Sequence, residues 1–296
     1  MTAAGVVSPR KPSRKIRPAD SFLTVWGVLG LVFLFFPIVV IVVFSFNNGR
    51  TLQSFDGVGM DAYVAALNNP AIVNSIIVSL ITATGTAVVA TLLGTFAGIA
   101  LTRRPGWWAP GLLMLLGLVM VTPEIVSAIS LLPWFVTLGV DNGLVAFNIG
   151  QVRLIIANSL FASAVVTFIV RARMTGMNES LEEAAADLYA PPFRRFTDIT
   201  LPLIRPAVIS GALLAFTLSL DNTVVSSFVS VAGSTPWPVY IFASLKASLR
   251  PEIAAMSTLM LVLTLIVLGI AALILRRDPS GSGGGAAGLT SAMVGK

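Results

Sequence analysis

The chain has 296 residues, 56% of them apolar and only 11% charged, with a mean hydropathy of +0.91, whereas an ordinary soluble domain carries roughly 25% charged residues. A soluble globular fold is therefore excluded. Cysteine and histidine are both absent, which removes disulfides, thiolate nucleophiles and Cys/His metal sites together with the usual general base. The net charge of +6 would point a soluble protein towards nucleic acid. In a membrane protein anionic lipid headgroups are the simpler counterpart, and no nucleic-acid partner is expected.

The chain opens on a basic tail, residues 1–20, with Arg10, Lys11, Arg14, Lys15 and Arg17. The apolar run behind it is too long for the core of a signal peptide and no small-x-small cleavage site follows, so it reads as a retained anchor. A bilayer-crossing helix needs about 20 apolar residues. Runs of that kind occur near 22–46, 71–101, 108–137, 154–170, 204–229 and 253–275. The expected fold is an all-α polytopic membrane protein of about six transmembrane helices spanning residues 21–277. The Gly/Ser/Ala-rich residues 278–296 are expected to be a disordered tail.

Basic residues set the orientation. With both termini cytoplasmic, 15 of the 19 Lys and Arg residues fall on the cytoplasmic side and only Arg50, Arg153, Lys246 and Arg250 on the other, as the positive-inside rule requires. Nothing matches GxxxxGK[ST], so no phosphate-cradling loop is visible. The chain is expected to be non-catalytic, without ATP hydrolysis of its own, and no cofactor or metal is expected.

One cytoplasmic loop, 172–203, is unlike the rest. Residues 183–202 read EAAADLYAPPFRRFTDITLP. Ser180 followed by Glu183 has capping-box spacing. Leu181, Ala184, Ala185, Leu188 and Tyr189 recur at helical spacing on one apolar face, with Glu182, Glu183, Ala186 and Asp187 elsewhere. The helix must stop by Pro191 and Pro192. A second short helix is expected to begin on those prolines, pass through Phe193, Arg194, Arg195 and Phe196, and end before Pro202. Such a pair makes a compact knob. Physics alone allows two uses, an apolar face laid in the lipid interface or a helix seated in a partner's groove.

Glu183-Ala184-Ala185, followed at the right distance by Ile199-Thr200-Leu201-Pro202, resembles the EAA loop of bacterial ABC importer permeases: EAA, three residues, Gly, nine residues, I-x-L-P. The Gly position is held by Tyr189, and Pro191 with Pro192 is expected to enforce the corner in its place. The run from Leu201 through LPLIRPAVISGALLAFTLSLDNTVVSSFVS to PEIAAMSTLM, with TPEIVSAISLL at 122–132, is similar to polyamine (spermidine/putrescine) permease subunits of the C-type. The resemblance covers roughly residues 20–277. It implies a bacterial plasma-membrane protein working with a homologous permease, two cytoplasmic ATPase subunits and an extracytoplasmic solute-binding protein. Glu182, Glu183, Ala184, Ala185, Asp187, Leu188, Tyr189, Ala190, Arg194 and Arg195 would then form the surface that couples to the ATPase.

Intramembrane acids are functional candidates by default. Two stand out, Glu124 in the third run and Asp221 in the fifth, about 24 and 26 Å from the cytoplasmic ends at 1.5 Å per residue, hence near one layer. Pro123 and Pro133 should break the third run and free backbone carbonyls. Two carboxylates and free carbonyls suit a small cationic solute, with Asn222, Trp134 and Phe216 as further candidates on its path. Trp134, Phe216, Phe228, Trp237 and Tyr240 could offer cation–π faces, although lipid packing and interfacial belts are the plainer use of aromatics here. The polyamine family often has two consecutive acids where this chain has Asp221 and Asn222. Gly94 and Gly98 form a GxxxG that reads as helix packing.

Two other classes stay open. A secondary transporter or channel could use Glu124 and Asp221 as a cation or proton relay, but would not require the EAA-like loop. An intramembrane hydrolase built on Ser219 or Ser226 lacks histidine, and its only lysine partner, Lys246, falls on the opposite side.

Overall fold

A computed structural model describes residues 18–49, 51–52, 54–247 and 250–276. The expected disordered tail and nearly all of the expected basic tail lie outside the described residues. Within them the chain is helical, with no strand beyond a single bridge between Asn47 and Val58.

Six helical segments are long and apolar enough to cross a membrane: Phe22–Phe44, Pro70–Arg103, Glu124–Asp141, Gly150–Thr175, Pro192–Asp221 and Pro251–Ile270. In chain order the helices are α1 (Pro18–Phe44), α2 (Asp61–Asn68), α3 (Pro70–Arg103), α4 (Ala109–Val121), α5 (Glu124–Val136), α6 (Gly150–Thr175), α7 (Ser180–Asp187), α8 (Pro192–Arg195), α9 (Leu201–Asp221), α10 (Val224–Val229), α11 (Trp237–Ala247) and α12 (Pro251–Arg276).

The centre is a three-helix core of α3, α6 and α9. Small residues let these helices approach. A Cβ added at Gly94 would lie 2.6 Å from the Val166 Cβ and 2.9 Å from the Ser163 carbonyl oxygen, and one at Gly98 would lie 3.0 Å from the Thr167 carbonyl oxygen. The GxxxG thus does the packing work read from it. Ala90, Ala162, Val166, Val170, Met174, Ile204 and Ala215 fill the core beside it. Helix α1 stands apart, with none of its apolar window buried and its contacts made mainly to α12.

Two expected spans are not single helices. The run 108–137 divides at Thr122–Pro123 into α4 and α5, so the crossing segment is Glu124–Asp141. Pro123 supplies no N–H and holds extended backbone at ψ 133°, which ends α4 as foreseen. Pro133 does not end α5. Instead the helix widens four residues later into a π turn, Thr137–Asp141, where the Asn142 N–H reaches back to the Thr137 carbonyl. The run 204–229 is expected as one span. It stops at Asp221 and resumes as α10 because the Asn222 Oδ1 accepts from the Val225 N–H at 2.9 Å and competes with continuation of α9.

One end of the bundle gathers the start of α3, α2 and the start of α12, where the Asn69 Nδ2 donates to Glu252 at 3.3 Å. The other end gathers the end of α3 and the loop 172–203, tied by Arg103 to Glu179 and Glu182. Since α1 leads into the first end and α12 leaves it, both helical termini lie at the end that carries this loop.

Candidate functional site

The loop folds as α7, a corner and α8. The expected capping box is absent: Ser180 is already inside the helix, the Glu182 and Glu183 amides donate to the Glu179 carbonyl, and Asn178 Oδ1 accepts from the Ser180 N–H at 3.1 Å. Starting one residue early places Ser180 within the first turn, so Asn178 takes over the capping.

The corner is made by Tyr189 itself. Its φ is +58°, left-handed for a non-glycine residue. The Tyr189 N–H donates to the Ala186 carbonyl at 2.9 Å and the Ala190 N–H to the Ala185 carbonyl at 3.0 Å, the bonding pattern of a Schellman C-terminus. The turn that glycine would favour therefore forms without glycine. Pro191, extended at ψ 151°, follows it and leads into α8. Contrary to expectation, α8 does not end before Pro202. It widens into a π turn, Phe196–Thr200, in which the Leu201 N–H reaches the Phe196 carbonyl, and runs on as α9. The wider turn shifts the hydrogen-bond register just ahead of Pro202, which has no N–H to give.

Glu182 faces inward. Its Oε1 accepts from the Arg103 guanidinium at 2.7 Å and from the Thr200 hydroxyl at 2.6 Å, and Thr200 is buried at the root of α9. Glu179 adds a more exposed contact to Arg103 at 3.1 Å. Ala185, Ala190 and Arg195 are half-buried, whereas Glu183, Ala184, Asp187 and Arg194 are exposed. The apolar side chains point away from the body: Leu188 is 82% exposed, Tyr189 95% and Phe193 77%. The end of the molecule beyond Arg103 thus presents an apolar and acidic ridge held from behind by one carboxylate.

About midway along the bundle the two helix breaks lie side by side, because α5 packs against α10. Glu124 begins α5 and Asp221 ends α9. Both line one open groove of about 360 Å³ with Thr217, Leu218, Asn222, Thr223 and Val224. Asp221 sits at the C-terminal, partially negative end of its helix, which does not stabilise a carboxylate and favours a cation beside it. A smaller adjoining cavity of about 90 Å³ is lined by Glu124, Asn222, Ser127, Leu131, Asn158 and Phe161, among others.

Trp134 and Phe216 are absent from both linings. Trp134 packs edge-on against Phe135 and Phe147, at 5.4 and 5.7 Å between ring centroids, and the Arg153 guanidinium lies over Phe135 at 5.9 Å. Trp237 and Tyr240 stack on each other at 5.6 Å. Sequence reasoning passed over Asn158, whose signal was that of a lone carboxamide inside the run 154–170. It also took Arg103 for a topology marker only.

Residues 90–277 match the family described as binding-protein-dependent transport system inner membrane component. The chain belongs to this family. It is a multi-pass protein of the bacterial inner membrane. It is 37% identical over 235 residues to the putrescine transport system permease protein PotI of Escherichia coli, covering 79% of this chain and 83% of that one. To the spermidine/putrescine transport system permease protein PotC of Haemophilus influenzae it is 36% identical, covering 83% and 93%. In fold it is similar to a bacterial alginate ABC transporter in complex with an alginate pentasaccharide-bound periplasmic protein, at a TM-score of 0.70 and 16% identity, covering 88% of this chain and 94% of that one.

Proposed function

We propose that this chain is the permease subunit of an ATP-driven importer that moves a small cationic solute, a polyamine such as putrescine or spermidine, into the cell. The carrying observation is that Glu124 and Asp221 line one groove where two helices break; likeness to permeases named for putrescine and spermidine transport supports the same solute class. Broken helices beside ionisable groups recur at transport sites. Intramembrane carboxylates are costly unless they have such a task.

On this reading the end bearing α7 and α8 is cytoplasmic, with both termini on that side. Leu181, Leu188, Tyr189 and Phe193 seat in a cleft of an ATPase partner, flanked by Glu183, Asp187 and Arg194. Two ATPase subunits, a homologous permease and an extracytoplasmic solute-binding protein complete the assembly, and hydrolysis belongs to the ATPases. Closure of the ATPases pulls on residues 181–202 and opens the path between the two permeases alternately outward and inward.

The test is to purify the tagged chain from its native membrane in detergent, identify what co-purifies, and measure ATP-dependent uptake of radiolabelled 1,4-diaminobutane in proteoliposomes. Recovery of an ATPase with a phosphate-binding loop and a second permease, with ATP-dependent uptake, is the expected result. A chain that purifies alone and conducts cations in liposomes without ATP would overturn the proposal and leave Glu124 and Asp221 as a relay.

A further inference from the structure

Hydroxyl side chains in the three-helix core are of two kinds. One kind donates to a carbonyl of its own helix: Ser75 to Ala71, Ser159 to Ile155, Thr167 to Ser163 and Thr217 to Leu213, all at 2.6–2.9 Å. Such bonds satisfy a hydroxyl without tying one helix to another. Ser219 is of the other kind. It is buried, and its hydroxyl accepts from Asn158 Nδ2 on α6 at 3.1 Å and donates to Thr86 Oγ1 on α3 at 3.2 Å. One side chain of α9 thus joins all three core helices, two residues before the Asp221 that ends α9.

The base of α9 is held more firmly. Arg173 Nε donates to the Leu203 carbonyl at 3.0 Å, and the Thr200 hydroxyl donates to Glu182 at 2.6 Å; both bonds are charge-assisted and of the stronger class. Leu203 and Ser219 lie about 24 Å apart along the helix at 1.5 Å per residue. A tie between neutral groups therefore sits at the far end of a lever whose foot is gripped.

Two properties make that upper tie reversible. Hydrogen bonds between helices in a bilayer shift an equilibrium by only about threefold on average and roughly twentyfold at most. The Ser219 hydroxyl also keeps a second acceptor in reach, the Ala215 carbonyl one turn below, because a helix carbonyl has two lone pairs. Opening the tie leaves the Ser219 proton bonded. The partner lost by Asn158 biases the closed state without fixing it.

We propose that Thr86, Ser219 and Asn158 form a latch that holds the upper part of α9, and with it Asp221, against α3 and α6 in the resting state, and that opens when the base of α9 is driven. The role rests on the importer reading above, in which α9 must move, and adds to it the contact that has to break. Sliding α9 by about 2 Å is enough to take bonds of this length beyond hydrogen-bond distance.

The test exploits the absence of cysteine from the whole chain. In the double variant Thr86→Cys/Ser219→Cys the sulfurs need come only about 1 Å closer than the hydroxyl oxygens stand to form a disulfide. Oxidation by a membrane-permeant copper complex then locks the latch shut, and reduction frees it. Uptake of 1,4-diaminobutane and ATP hydrolysis are measured on the assembled transporter in proteoliposomes in both states, beside the two single variants. Oxidation should lower uptake by the double variant at least tenfold, reduction should restore it, and neither single variant should respond. A second set of variants needs no disulfide. Ser219→Ala should raise solute-independent ATP hydrolysis about threefold, the average scale of one such bond; Ser219→Thr, which keeps the hydroxyl, should not, and adding Thr86→Val to Ser219→Ala should raise it no further.

Full uptake by the double variant with its disulfide closed would show that α9 need not part from α3, and failure of the disulfide to form would show that the two residues do not meet; either overturns the latch. A lower melting temperature of Ser219→Ala with unchanged hydrolysis makes Ser219 a packing residue and overturns it as well, with the importer reading intact. A native complex without ATP hydrolysis overturns the importer reading and the latch's role with it.

Discussion

Replacing Glu182 by alanine should release the α7–α8 knob from the bundle. The carboxylate is the shared acceptor of two short bonds, 2.7 Å from the Arg103 guanidinium and 2.6 Å from the Thr200 hydroxyl. Bonds to charged groups contribute about 1.5–3 kcal/mol each when sheltered. The side chains of Arg103 and Glu182 are 18% and 23% exposed, so solvent screening brings the pair of bonds down to a combined value of about 2 kcal/mol. That is close to a thirtyfold shift in the equilibrium between docked and released α7. Hydrogen exchange of residues 179–190 in the nanodisc-embedded protein reads this opening directly. Glu183→Ala, at an exposed carboxylate on the same helix, serves as the comparison. A double-mutant cycle with Arg103→Ala should return a coupling of about 1–2 kcal/mol. If Glu182→Ala exchanged no faster than Glu183→Ala, or if the cycle were additive, Glu182 would not be holding the knob and the inward assignment would fail.

Tyr189→Gly should tighten the same corner, because a non-glycine residue in the left-handed region costs about 1–2 kcal/mol and the greater freedom of unfolded glycine returns about half of that. Exchange at Leu188–Ala190 should slow severalfold, while the loss of a 95% exposed aromatic should weaken ATPase association; faster exchange would refute the strain argument. Asp221→Asn should lower uptake of a cation by tenfold or more and spare basal ATP hydrolysis, and equal loss of both would indicate misfolding instead. Gly94→Val should lower thermal stability by about 1–3 kcal/mol through overpacking against Val166 and Ser163. Gly111→Ala, where an added Cβ meets nothing within 4 Å, should be near neutral, and similar melting temperatures for the two variants would contradict the described α3–α6 approach.

The number of crossings was legible because a bilayer demands long apolar runs, although the third of them proved to be Glu124–Asp141 instead of 108–137. So was a close helix approach at Gly94 and Gly98, since glycines four apart share a helix face, though its partner α6 was not. What escaped was how the chain handles its proline and amide residues. Pro133 and Pro202 look like helix ends in sequence, yet α5 runs on through Pro133 to Val136 and a π turn, Phe196–Thr200, leads into α9 just ahead of Pro202, a register change that no local pattern announces. Asn222 looks like one polar residue in an apolar run, and its capping of α10 appears only when the backbone is traced. Periodicity put Leu181, Ala184, Ala185, Leu188 and Tyr189 on one helical face, but α7 ends at Asp187, and Leu188 and Tyr189 belong to the corner behind it. It could not tell that Leu181, Leu188 and Tyr189 are turned outward, because that depends on Arg103, some 80 residues away, claiming Glu182. A common layer for Glu124 and Asp221 was expected from depth alone, and both line one groove, whereas Asn158 is uncharged and a search for charges passes it by.

The arrangement of these parts bears on how force entering at one end could reach the groove in the middle. Glu182 grips Thr200, and Thr200 is the last residue of the π turn from which α9 rises. Asp221 is the last residue of that same helix, 21 residues on, or about 30 Å at 1.5 Å per residue. Nothing but continuous helix separates them. Pro202 and Pro206 sit near its base, where a missing N–H makes bending least costly, and the upper part is braced against α3 and α6. A tilt of roughly 5° about the π turn would carry Asp221 by about 2–3 Å, comparable to helix shifts that switch packed interfaces. Glu124 belongs to a separate helix whose nearest chain connection to the knob runs through α6, so the same tilt would change the spacing of the two carboxylates rather than move them together. A cation held between them would be gripped in one state and released in the other. On the proposed reading, that makes the π turn beneath α9 the hinge and the Glu182 clamp the handle.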